Sequence, residues 1–310
     1  MRLLKWAAII YRVGMGSRPA WQFIRTFASP IGENSSRRRS DDKRDESRGR
    51  YMLKSSGSQP SAIQTRVQTM NLPTTSAEHA AWYDDHYYRN IRCTLGPWHR
   101  FLLPDLIAEC RPDHKLIELG CGQAQVPRFL AEKGHLPATQ IYGLDQSSEA
   151  VAFCRREIPG GHFQVQDLYT MDYPADMFDF CVMLETIEHL EHPAVVLQRV
   201  HKILKPGGWL YISFPNYLHL PWLAVRLLSE WLNRPSWILL QPVDKIYTIF
   251  GIKKLGRAAG FEFVKGIGSN YGPPVLHPLE REWMTRGFNR CGMWWLSLHP
   301  ILKFKKPITP

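Results

Sequence analysis

The chain has 310 residues and a formal net charge of +11, enough length for one large α/β domain with appendages and a full-sized core. The charge belongs to an arm: residues 1 to 80 hold 14 Lys/Arg against 6 Asp/Glu, and the remainder 25 against 22, which disfavours a nucleic-acid binder with a basic body. Six scattered cysteines with no C-x-x-C pair exclude a zinc knuckle or a disulfide framework, and no run of 18 uncharged apolar residues offers a spanning helix.

Residues 1–32 carry Arg2, Lys5, Arg12, Arg18 and Arg25 with no acid, a composition compatible with an organelle transit peptide. RRRSDDKRDESRGR (37–50) contains no apolar residue and SSGSQPS follows it, so residues 1–75 read as a disordered basic arm. That arm is either a targeting segment or an extension whose true start is Met52 or Met70. Residues 76–310 read as a single domain. A cytoplasmic location is expected, or a mitochondrial one if the arm is a transit peptide.

Between Ala80 and Glu109, Trp82, Tyr83, Tyr87, Tyr88, Trp98 and Phe101 suit helices packed on a sheet. Short apolar runs then alternate with helical patterns, the order expected of a parallel sheet covered by helices. KLIEL is the first strand, and a helix from Ala124 to Lys133 follows it. IYGLD is the second strand, with a helix capped by Ser147 or Ser148. HFQVQD is the third and FDFCVMLE the fourth; PAVVLQRVHKIL is a helix opening on proline and closing at LKPGG. WLYISF and FEFVKGI are the fifth and sixth strands, and the tail MWWLSLHPILKF supplies a final, antiparallel one.

Between the fifth and sixth strands, residues 216–243 form an insertion in which Leu223, Leu227, Leu228 and Trp231 recur at helical spacing. Core or subunit packing explains such a helix, and so does a lid over an apolar acceptor. The tail's Trp and Lys residues suit peripheral membrane contact or, equally, a sheet edge.

In such sheets ligands bind beyond the carboxyl ends of the strands. Those ends are acidic here: Glu118 precedes the turn ELGCGQAQ, Asp145 and Asp167 end the second and third strands, and Glu185, Glu188 and His189 follow the fourth. Gly120 and Gly122 give two glycines of a dinucleotide fingerprint, but Gln125 stands in the third place. Carboxylates around the crevice would repel a pyrophosphate, whereas a cationic sulfonium nucleoside wants acids for its charge and ribose, an acceptor for its adenine amino group and glycines for close backbone approach. The ordinary alternatives are turn capping for Asp145 and Asp167, and a backbone-bonded strand-end carboxylate for Glu118.

ELGCGQA, YGLDQS, VQDL, FDFCVMLETIEHL and LKPGGWLYISFPN, in this order, resemble the class I S-adenosylmethionine-dependent methyltransferases, in the branch similar to the ubiquinone-biosynthesis O-methyltransferases. Ala124 departs from the family's third glycine. The resemblance implies a doubly wound Rossmann-like methyltransferase sheet, mostly parallel with a final antiparallel strand, and S-adenosylmethionine as the methyl donor. It implies that main chain at Gly120 and Gly122 meets the methionine moiety, Asp145 the ribose hydroxyls, and Asp167 with the Leu168 N–H the adenine. Glu118, Gln146 and Glu185 are counted with these donor residues. The acceptor is expected to be a small hydroxylated molecule, with no nucleic-acid partner. N- or C-methylation of a lipid, glycan or quinone precursor stays open, as does a catalytically silent binding subunit.

A phenol-type acceptor needs a base or a metal to raise its anion fraction, and His189 with Glu188 is the expected catalytic pair. Glu185, Glu188 and His189 also form an E-x-x-E-H pattern similar to one that binds a divalent cation in the small-RNA 2'-O-methyltransferases. His219 is one option for a further ligand and QPVDKIYTIF holds no histidine, so no metal site is assigned. The competing reading has this turn as plain structure, His189 capping backbone.

Overall fold

The computed structural model describes residues 76–85, 93–231, 243, 245–272 and 281–308. The arm over residues 1–75, Tyr87, Tyr88 and the insertion beyond Trp231 as far as residue 242 lie outside these. Helices α1 (Ser76–Tyr83) and α2 (Pro97–Glu109) precede the alternation β1 (Leu116–Leu119), α3 (Gln125–Glu132), β2 (Ile141–Asp145), α4 (Ser148–Glu157), β3 (His162–Val165), β4 (Phe178–Leu184), α5 (Pro193–Ile203) and β5 (Leu204–Ser213). Helices α6 (Leu220–Trp231) and α7 (Ile249–Ala258), strand β6 (Glu262–Ile267), helix α8 (Glu282–Arg290) and strand β7 (Ile301–Lys305) complete it. No described helix is long and apolar enough to cross a membrane.

The strands form one sheet in the order β3-β2-β1-β4-β5-β7-β6. Pairs among β1 to β5 are parallel, and β7 runs antiparallel to both β5 and β6. Because successive strand residues face opposite ways, the continuous apolar runs serve two cores. Ile117, Leu119, Cys181, Met183 and Ile212 join one with Val200 and Ile252 of the helices; Leu116, Phe180, Val182 and Tyr211 join the other with Leu102, Val126 and Val151. Each such side chain, wholly buried, contributes about 1.5–3 kcal/mol. This is the doubly wound arrangement, and the capping of α4 follows the sequence: the Ser147 hydroxyl accepts the Ala150 N–H at 3.0 Å.

The tail differs from expectation in two ways. Its apolar start, MWWL, is a single 3-10 turn, and only ILKFK is strand. That strand is interior, not an edge: Lys303 is 2% exposed, held by Asp105 at 3.0 Å and Glu109 at 2.9 Å from α2, with its ammonium 3.9 Å from the Trp209 ring centre. A lysine survives there because carboxylates and an aromatic face replace its water. LKPGG, expected as a turn, opens β5 instead, since Gly207 at φ +80° lets its N–H reach the Lys306 carbonyl beside β7. Helix α8, polar in composition, had no counterpart in the sequence reading.

Candidate active site

The strand order reverses direction between β1 and β4, so the crevice opens at their carboxyl ends, where the glycine turn also lies. The turn is left-handed at three places: Gly120 (φ +64°), Gly122 (+49°) and Ala124 (+47°). A β-carbon at Gly120 would stand 2.5 Å from the Thr186 methyl, so glycine is required there by the neighbouring ETIEHL turn as well as by φ. Thr186 itself donates to the Leu119 and Leu184 carbonyls at 3.2 and 3.0 Å, tying the β1 and β4 exits together.

Asp145 clamps the turn. Its Oδ2 accepts the Gly122 N–H at 2.7 Å and its Oδ1 the Ser147 N–H at 2.8 Å. Burial raises its carboxyl pKa, the N–H groups of Ser147 and Gly122 oppose that, and Asp84 pushes it up again. Gln146 beside it is half-buried. Glu118, 4% exposed, has an Oε2 with no hydrogen-bond partner, and its carboxyl lies well above the usual range through burial first and Asp145 second. Asp167 accepts the Tyr169 N–H at 2.8 Å, while Leu168 is buried in the core. The turn-capping bonds expected of Asp145 and Asp167 are therefore present, and Glu118 is not satisfied by backbone in that way.

Asp84, at the end of α1, was not singled out by any motif. It accepts from the Ser147 hydroxyl, from the Ser148 hydroxyl at 3.1 Å and from the Glu149 N–H at 3.2 Å, which adds a third carboxylate beside Glu118 and Asp145. A cationic, hydroxyl-bearing ligand fits this set: it satisfies the orphaned Glu118 oxygen and offsets the burial, and after it the neighbouring carboxylate charge, that raise the Glu118 and Asp145 carboxyls.

The fourth-strand exit holds the imidazoles. His189 shares Nδ1 with the Val243 carbonyl at 2.6 Å, and its Nε2 is 3.6 Å from Glu188 Oε1. A carbonyl only accepts, so Nδ1 carries the proton and Nε2 a lone pair. Burial lowers the His189 pKa, offset in part by the Val243 carbonyl and by Glu185, and Glu188 is 2% exposed. The edge of the Tyr83 ring approaches His189, 6.3 Å between centres.

Glu185 turns the other way. It sits at φ +52° and its oxygens take the Ser213 hydroxyl at 2.7 Å and His299 Nδ1 at 2.9 Å. Burial pushes its carboxyl up, but the charge and hydrogen bond of His299, with the Ser213 hydroxyl, leave it below the usual range. It therefore faces the β5 and β7 side, away from the acids of β1 and β2. His219 is elsewhere, with Nε2 3.1 Å from the Tyr271 carbonyl. Among the described residues no three His, Cys, Asp or Glu side chains are grouped to hold a metal ion.

The methyltransferase domain family matches residues 117–212, the segment from β1 to β5. A trans-aconitate 2-methyltransferase from Methylobacterium nodulans is 31% identical over 191 residues, 54% of this chain and 72% of that one. A ubiquinone biosynthesis O-methyltransferase from Pseudomonas aeruginosa is 25% identical over 171 residues, 53% and 71% of the two chains. The crystal structure of a Thermotoga maritima protein described as an S-adenosylmethionine-dependent methyltransferase and possible histamine N-methyltransferase superposes with a TM-score of 0.52 at 16% identity, covering 75% of this chain and all of that one; at such identity the likeness speaks for the fold alone.

Proposed function

Because the chain belongs to the class I S-adenosylmethionine-dependent methyltransferases, we propose that it methylates a hydroxyl oxygen of a small acceptor. The observation that carries this reading is His189 at the exit of β4: a half-buried imidazole whose Nδ1 donates to the Val243 carbonyl and whose pKa burial lowers, which favours an unprotonated Nε2. Amine and activated-carbon acceptors need such a base less than an alcohol or phenol does. The kinship with an O-methyltransferase at 25% identity supports it further.

When bound, S-adenosylmethionine supplies a methyl group on a sulfonium whose leaving group needs no protonation. What remains for the chain is to hold, orient and dry the reactants, worth several orders of magnitude in rate. Asp145 and the neighbouring Gln146 would hold the ribose, Asp167 and the Leu168 N–H the adenine, and Glu118 with main chain at Gly120 and Gly122 the methionine portion. Glu188 and His189 would border the acceptor as its first candidate catalytic groups. The exposed Leu220, Leu227 and Leu228 of α6 suit a lid or a peripheral lipid contact, which agrees with an apolar acceptor. A cytoplasmic setting goes with this reading, and fractionation of the tagged full chain checks it.

The test is product analysis. The protein is incubated with donor carrying a deuterated methyl and a panel of phenols, hydroxy acids, amines and lipids, and products are fragmented by mass spectrometry. A methyl on oxygen is the expected result; one on nitrogen or carbon, with hydroxylated compounds untouched, overturns the reading. Chelator added to the same assay decides whether E-x-x-E-H works through a divalent ion, since a ligand set of that kind loses activity with its metal.

A further inference from the structure

Glu185 opens the E-x-x-E-H pattern, but its partner His299 stands 114 residues away and outside every motif. His299 precedes β7 by one proline, is 2% exposed, and is fixed by its backbone, its N–H donating to the Ser269 carbonyl at 3.3 Å and its carbonyl accepting the Ser269 hydroxyl at 2.8 Å. The Trp98 ring covers it at 4.8 Å. Nδ1 is committed to Glu185, while Nε2 is buried with no hydrogen-bond partner. An orphaned buried imidazole nitrogen is costly, and a fold that retains one beside a left-handed, thrice-bonded Glu185 has built it for something that arrives.

Its place says what arrives. The acids suited to the donor stand at the ends of β1, β2 and β3, so an acceptor meeting the methyl group lies across the β4 exit, over β5 and β7. Glu185 follows β4, Ser213 ends β5 and His299 stands two residues before β7. This is not a nucleophile triad, because the Ser213 hydroxyl donates to Glu185 and not to the imidazole. It is a carboxylate–imidazole pair with the serine as the carboxylate's second anchor.

We propose that His299, oriented by Glu185, takes the acceptor's hydroxyl proton in place of His189; this rests on the O-methylation reading, which then stands on the likeness to an O-methyltransferase. In the step the O–H bond breaks and its proton goes to Nε2. The freed oxygen pair forms the bond to the methyl carbon as the carbon–sulfur bond breaks, its electrons staying on sulfur. Glu185 offsets the imidazolium charge that results, as a carboxylate does for any catalytic imidazole it holds by Nδ1. The ionisable groups around the pair are His189, which feels Glu185, and His99 of α2, which burial drives down to about 4 and whose Nδ1 accepts the Gly96 N–H.

The experiment compares the full chain with His299→Ala, His299→Gln, Glu185→Gln and His189→Ala, using an acceptor shown to be O-methylated. Donor affinity by calorimetry and melting temperature serve as checks on folding. Both His299 variants should lower kcat by about 10²- to 10⁴-fold with donor Kd within threefold. Their kcat–pH profile should lose its acidic limb and recover in part at high pH on a phenolic acceptor. Glu185→Gln should fall between them and the parent and displace that limb. A His299→Gln enzyme that binds donor normally and keeps kcat within threefold, or keeps the parent's acidic limb, overturns the proposal; so does loss of the limb in His189→Ala alone. A parent product methylated on nitrogen or carbon overturns the O-methylation reading and the proposal with it, whereas an O-methyl product with unimpaired His299 variants overturns the proposal only.

Discussion

Gly120→Ala tests how the donor turn and the ETIEHL turn are coupled. The alanine would have to adopt φ near +64°, which costs an L residue about 1–2 kcal/mol. Its methyl would also lie 2.5 Å and 2.6 Å from the two branches of Thr186, an overpacking cost of about 1–3 kcal/mol. Loss of about 2–5 kcal/mol is expected in urea denaturation, with donor affinity falling because the turn must move. Thr186→Ala alone should cost about 1 kcal/mol, for its bonds to the Leu119 and Leu184 carbonyls. In the double variant the two shortest contacts vanish, leaving only the Thr186 β-carbon at 3.1 Å. About 1–3 kcal/mol should therefore return, while the backbone part should not. If the two losses simply add, within about 0.5 kcal/mol, Thr186 is not what demands glycine at 120 and the coupling argument fails.

Asp145→Ala should weaken donor binding by about 2–4 kcal/mol, since it removes the acid proposed to hold the ribose and frees the Gly122 and Ser147 N–H groups; parent-like calorimetric affinity would refute that placement of the nucleoside. Glu118 has a folded pKa above its unfolded one, so its contribution to stability is full below about 4.5 and declines as pH rises through the folded value. A bound sulfonium should lower that pKa again, so donor binding should release a proton in that window; calorimetry in buffers of different ionisation enthalpy measures it, and zero release contradicts a cation beside Glu118. Lys303→Ala should cost about 1–3 kcal/mol, since Asp105 keeps Lys265 and the Tyr211 hydroxyl while Glu109 loses its partner, and Lys303→Met should cost less because it keeps the aliphatic stem; a Lys303→Met protein that melts with the parent would show that the charge is not what matters. Removing residues 1 to 69 should leave donor affinity and melting temperature nearly unchanged, given that residues 37 to 50, between the arm's start and the domain, hold no apolar residue, and a large fall in either would show that the arm docks.

What could be read from sequence was local. IYGLD, the serine cap after it and the continuous apolar run of β4 each declare themselves within a few residues, through period, capping and two-sided burial. The acids at strand ends were legible because a parallel sheet puts those ends in one crevice. Long-range antiparallel pairing has no such signature, and nothing in ILKFK tells that it inserts between β5 and β6 or that Lys303 is buried there. His299 was invisible for the same reason: it lies 114 residues from Glu185, outside every motif, and only the placement of β7 brings them together. Asp84 is the counterpart at the other end of the chain, carried to the start of α4 by a helix that precedes the sheet.

Two non-glycine residues with left-handed backbone stand on the crevice, Ala124 after β1 and Glu185 after β4. Each costs about 1–2 kcal/mol of backbone strain, and the two are retained for different reasons. Ala124 is fully buried within the helix-side core, so its methyl contributes packing of roughly 0.8 kcal/mol that glycine would forfeit along with added chain entropy. Strain and packing nearly cancel, which is why alanine is tolerated where the family has glycine. Glu185 has no such packing offset. Its strain is held by the Ser213 hydroxyl, which accepts the Glu185 N–H and donates to Oε1, and by His299 at Oε2; a glycine would keep the first of these and lose the two side-chain bonds. Strain held by polar partners beside the crevice is what the proposed role of Glu185, orienting His299 toward an acceptor, calls for.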